Sequence, residues 1–158
     1  MKREQIVDFT RRISQCNKGG LIVVMYDIFF AYMDEAKEAY EAGEWEAYKD
    51  ALRRGGRMIE ELISALDFSY ELAGNLYSIY VFCRDSLAKA MYKQDIADAD
   101  DARRLMEKLR DAFVQAAGED TSAPLMKNTQ QVYAGYTYGR DDLVETYQNF
   151  DTSRGFFA

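Results

Sequence analysis

The chain has 158 residues, a net charge of −7, one proline, two cysteines and no histidine. That length can build one domain with a real core. The acidic balance argues against a nucleic-acid binder, which shows a basic face, and the missing histidine removes Ser/His and Cys/His nucleophilic sites and the usual zinc sites.

Hydrophobic residues make up 48% of the chain, and helix formers dominate as far as residue 118. The expected fold is all-α. Residues 1–16 read as a short amphipathic helical segment, with Ile6, Phe9 and Ile13 three or four apart on one face. "NKGG" (17–20) is expected to break it. A first long helix is predicted over 21–42, with a stripe through Leu21, Val24, Met25, Ile28, Phe29, Tyr32, Ala36, Ala39 and Tyr40, and Gly43 as its C-cap. A second is predicted over 44–66 on Tyr48, Leu52, Gly55, Ile59, Leu62, Ile63 and Leu66. "DFS" (67–69) offers Asp67 and Ser69 as N-caps for a third helix over 70–93, whose inner stripe is Leu72, Leu76, Ile79, Tyr80, Cys83, Leu87, Ala90 and Met91. A fourth is predicted over 99–117, with Asp98 or a neighbouring Asp as N-cap and Gly118 at its end.

Four long helices with short connections predict an antiparallel up-down-up-down four-helix bundle over 1–118. The segment 119–158 differs: it has no helical stripe and carries seven aromatics, from Tyr133 to Phe157. It reads as an extended aromatic C-terminal arm.

Chemistry is scarce. "DIADADD" (95–101) lacks the glycine and terminal glutamate of an EF-hand loop and reads as helix capping. "RRGGR" (53–57) lies inside a helix, where Gly55 and Gly56 permit close packing better than they bind RNA. No glycine-rich piece matches a phosphate loop. The expectation is a non-enzyme with no cofactor and no metal. Cys16 and Cys83 read as reduced thiols, the charged start as no secretory leader, and the longest apolar run, broken by Asp27, as too short for a membrane span. A soluble intracellular protein is expected. The positive signal is seven Met, twelve Tyr and nine Phe, a load suited to receiving peptides. For Leu76, Ile79 and Met106 the core is the expected place; for Tyr77 and the arm aromatics, core and surface stand level.

Three segments then resemble the flagellar secretion chaperones, the FliS family. "LIVVMYDIFFAYMDEAKEAYEAGEWEAY" (21–48) is similar to that family's first helix and turn. "RMIEELISALDFSYELAGNLYSIYVFCRDSLAKA" (57–90) resembles its most recognisable portion, with I-x-E-L, an L-D turn and N-L-Y-x-x-Y. "LMEKLRDAFVQA" (105–116) resembles its closing helix. The likeness covers residues 5–117; "NKGG" and the long arm depart from the usual pattern.

The resemblance implies a cytoplasmic chaperone that binds the disordered C-terminal segment of flagellin, prevents premature polymerisation and aids delivery to the export gate. It implies partner contacts at Tyr26, Ile59, Leu62, Ile63, Leu66, Asn75, Leu76, Tyr77 and Tyr80, with Ile6, Phe9 and Ile13 as a lid. Asn75 would bond a partner's backbone or cap the preceding turn. Partners would be flagellin and export-gate components, without membrane insertion, the chaperone being a monomer or homodimer. The alternative reading is a structural or regulatory bundle that oligomerises through its aromatic arm.

Overall fold

A computed structural model describes residues 1–126; most of the expected aromatic arm, 127–158, lies outside the described residues. Five helices and no strand are present among the described residues: α1 (Arg3–Gln15), α2 (Lys18–Ala42), α3 (Trp45–Ser64), α4 (Leu72–Lys93) and α5 (Ala97–Glu119). The expected all-α class holds.

Each helix end has a local chemical cause. Asn17 starts α2, its side-chain oxygen accepting the Gly20 N–H at 2.9 Å. Gly43 ends α2 in the left-handed region at φ 71°, and the Gly43 and Glu44 N–H groups return to the Tyr40 and Ala39 carbonyls. Asp67 accepts both the Ser69 N–H at 2.9 Å and its hydroxyl at 2.6 Å, shaping the turn before α4. Those two bonds stabilise the carboxylate, so the Asp67 pKa falls below its ordinary value. Asp95 accepts the Ala97 N–H at the start of α5.

Several boundaries differ from the sequence expectation. The "NKGG" glycines do not form the break; they are the first turn of α2, behind the Asn17 cap. Gly19 suits that place because Asp120 lies close: a Cβ there would sit 3.0 Å from its carboxylate. Asp67 and Ser69 cap a turn instead of α4, which starts at Leu72 after Glu71. Asp98 lies inside the first turn of α5 and pairs with Lys93, leaving Ile96 at the N-cap. α5 continues through Gly118 to Glu119.

α2 packs on α3, α3 on α4, α4 on α5, and α5 back on α2; α1 packs on α2 alone among the described helices. Asp27 meets Arg110 and Asp34 meets Arg103, so residue numbers rise along α2 as they fall along α5. The core holds Tyr26, Phe29 and Met33 of α2, Tyr48, Leu52, Ile59 and Leu62 of α3, Tyr80, Cys83 and Leu87 of α4, and Met106 of α5. A Cβ on Gly55 would meet Leu87, Met33 and Phe29 at 3.5–3.7 Å, an ordinary contact distance, and one on Gly56 would meet nothing within 4 Å. The close packing expected of these two glycines therefore does not require either of them. Leu72, expected on the inner stripe, is exposed; Ala73 takes the buried place, in step with Leu76, Tyr80, Cys83, Leu87 and Ala90.

Candidate partner-binding surface

Buried positions on α3 and α4 recur every three or four residues, and that spacing settles where most of the candidate residues lie. Tyr26, Ile59, Leu62, Leu76 and Tyr80 all fall on inward stripes and are buried. As groove residues these five are corrected: in this conformation a partner reaches none of them without opening the core. The two tyrosines are affordable there because each supplies the other's polar partner. Their hydroxyls lie 2.6 Å apart, bridging α2 and α4, and the Tyr26 ring tilts against Phe113 of α5 at 5.6 Å between centroids. Burial pushes both phenol pKa values up. Tyr48 follows the same logic, donating to the Ala90 carbonyl at 3.1 Å.

The other four candidates reach the edge. Ile63 and Leu66 are half-buried where α3 ends, and Asn75 and Tyr77 are exposed on the first turns of α4. No side chain caps the start of α4, so the capping role weighed for Asn75 is not formed.

The turn between α3 and α4 adds Phe68 and Tyr70, which the sequence reading passed over, and Leu72, which it put on the inner stripe. Phe68 is 62% exposed, Tyr70 70% and Leu72 62%. Phe68 packs edge-on against Tyr77, ring centroids 6.0 Å apart at 66°. Exposed Phe68 and Tyr70 on the turn, Leu72 at the start of α4, and the Phe68–Tyr77 contact are the kind of exposed apolar side chains that mark an interaction site. Phe82 is exposed as well, further along α4 and on a different face from Tyr77. The missed signal was "DFSYEL": three large apolar residues interleaved with polar ones in a turn, where nothing requires them for a core.

α1 carries the lid candidates. Phe9 and Ile13 are half-buried and Ile6 is exposed. Charge fastens this helix to α2: Arg12 pairs with Asp27, which also takes Arg110 of α5 at 2.5 Å, and the N-terminal amine pairs with Glu35. The junction that follows is tied to the end of α5, with the Asn17 amide donating to the Asp120 and Ser122 carbonyls and the Leu125 N–H donating to the Cys16 carbonyl. α1 does not pack against α3 or α4, so in this conformation it leaves the aromatic patch uncovered.

The geometry offers contact surface. Among the described residues no cluster of His, Cys, Asp or Glu could hold a metal ion, and no helix is long and apolar enough to cross a membrane. The family model described as "Flagellar protein FliS" matches residues 3–120. No curated protein matches the chain.

Proposed function

This chain belongs to the FliS family of flagellar proteins, and from that premise we propose that it is a cytoplasmic, non-enzymatic export chaperone. It binds the disordered C-terminal segment of flagellin, prevents premature polymerisation and aids delivery to the flagellar export apparatus. In this reading the four long helices are an antiparallel up-down-up-down bundle over 1–118, and 119–158 is an arm whose first residues finish α5 and bond back to the α1–α2 junction. The opposed numbering of α2 and α5 supports the first part.

The observation that carries the reading is the exposed Phe68–Tyr77 pair with Tyr70 and Leu72 beside it. A disordered segment loses conformational entropy when it is held, so its chaperone needs a wide apolar surface already in place. Asn75 and Tyr77 remain contact candidates, with Ile63 and Leu66 at the rim. Tyr26, Ile59, Leu62, Leu76 and Tyr80 act behind them as the rigid support. α1, with Ile6, Phe9 and Ile13, is the lid of this reading only after leaving its seat on α2, since as placed it does not reach the patch.

Calorimetry with a flagellin C-terminal fragment tests it. The expected result is a one-to-one complex, weakened by more than about 1 kcal/mol in a Phe68→Ala, Tyr77→Ala protein. Absence of any complex would overturn the function. A complex untouched by the double change would overturn the site.

A further inference from the structure

Along the α3–α4 seam, the aromatic turn gives way to a groove of different character. Its lining includes Arg53, Gly56, Arg57 and Glu60 from α3 and Arg84 and Ala88 from α4, around a volume of 260 Å³. Three arginines and one glutamate line it, with Leu52, Leu87 and Met91 as its apolar part, on a chain whose net charge is −7. Arg84 leans on its exposed neighbour Asp85 at 3.3 Å, a surface contact of small worth. Among the described residues, Arg53 and Arg57 form no ion pair. Gly56 has nothing within 4 Å of where a Cβ would be, so the floor of the groove is open at backbone level.

We infer that this groove is a docking site for an acidic peptide segment, whose carboxylates pair with Arg53, Arg57 and Arg84 while its backbone lies over Gly56 and Ala88. Charge complementarity selects the occupant: a carboxylate-bearing segment gains from three guanidiniums, and forked guanidinium–carboxylate pairing fixes its register. Tyr77, Arg84 and Ala88 follow one another at helical spacing along α4, so one peptide passes from the aromatic turn into the basic groove. Resting on the chaperone reading, the occupant is an acidic stretch of the same bound chain, next to the apolar part that the turn receives.

Two ligands separate this inference from that reading. Poly-L-glutamate titrated into the full-length protein, followed by amide NMR, should shift Gly56 and Ala88 and lose that effect in Arg53→Glu, Arg57→Glu and in the milder Arg53→Gln, Arg57→Gln. The flagellin C-terminal fragment should bind the charge-reversed protein at least tenfold more weakly, with a flatter salt dependence. An Arg104→Glu, Lys108→Glu protein makes the same net charge change on exposed positions of α5 and should bind as the parent does. No glutamate-induced shift at Gly56 and Ala88, or equal weakening in the α5 control, overturns the groove. Failure of the flagellin fragment to bind the parent protein overturns the chaperone reading and leaves the poly-L-glutamate result to decide the groove.

Discussion

Removing one hydroxyl from the Tyr26–Tyr80 pair should cost more than removing both. The two oxygens are 2.6 Å apart in a site where Tyr26 is 0% and Tyr80 1% exposed, and both rings already pack among apolar side chains. Tyr26→Phe leaves the Tyr80 hydroxyl buried without its partner, and Tyr80→Phe does the reverse. A stranded buried polar group costs about 1–3 kcal/mol, whereas replacing both partners with apolar groups of the same shape is close to neutral. Each single change is therefore expected to destabilise by about 2 kcal/mol, and the double change by less than about 1 kcal/mol. With a urea slope of about 2 kcal/mol/M, each single variant's midpoint should fall by about 1 M and the double variant's should nearly recover. The coupling term of the double-mutant cycle would then be about −3 kcal/mol, far outside additivity. A double variant destabilised by the sum of the singles refutes the reasoning, because the hydroxyls would then be acting independently. The same proteins test the placement of the two residues. A core pair predicts that the double Phe variant binds the flagellin fragment with unchanged affinity, since neither hydroxyl reaches the surface.

Gly55→Ala should raise the melting temperature by about 2–4 °C: the new methyl meets Leu87, Met33 and Phe29 at ordinary contact distance, and the helix interior gains about 1 kcal/mol of propensity. Gly19→Ala should lower it, because its methyl would come within 3.0 Å of the Asp120 carboxylate and 3.4 Å of the Ala117 backbone; thermal unfolding showing the same sign for both would contradict this account. Burial pushes the Cys83 thiol from its ordinary 9.0 up to about 11. Between those values the unfolded chain has released that proton and the folded one has kept it, so stability should fall as pH rises from 9 to 11, by at most about 3 kcal/mol. Urea unfolding under reducing conditions at pH 8 and pH 10 checks this, with Cys83→Ala expected to show a shallower loss; identical slopes would remove Cys83 as the cause.

The helices were legible because apolar residues recur at the period of a helix, and Gly43 announced its own left-handed cap. What the period cannot show is which turn of a helix is left without a neighbour. Leu72 falls near the α4 stripe in sequence yet stands exposed, because it sits at the very start of the helix while Ala73 takes the contact. The caps were misplaced by two to four residues: Asp67 spends its oxygen on the turn before α4, whose N-cap is Glu71, and Asp98 lies inside the first turn of α5 while Asp95 accepts the Ala97 N–H. The candidate site was less legible. The period put Tyr80 on the inner stripe, but a buried tyrosine also needs a hydroxyl partner, which the period does not name for it or for Tyr26. That partner lies 54 positions away, on a helix that only the folded chain brings near.

The division of labour follows from that correction. Under the proposed chaperone function, a surface that holds a disordered chain must itself be ordered beforehand, or both partners lose entropy at once. The α3–α4 turn meets this condition through bonds of its own. Asp67 holds Ser69, the Tyr70 N–H returns to the Asp67 carbonyl at 3.1 Å, and the Ala73 N–H returns to the Tyr70 carbonyl at 3.1 Å. Phe68 and Tyr70 are thus presented by a fixed backbone, and Phe68 is braced against Tyr77. The buried residues beneath, Leu62, Leu76 and Tyr80, anchor the ends of both helices to the core. Exposed aromatics on a self-bonded turn over a packed base leave most of the ordering cost to the incoming chain, which suits reversible holding better than permanent assembly.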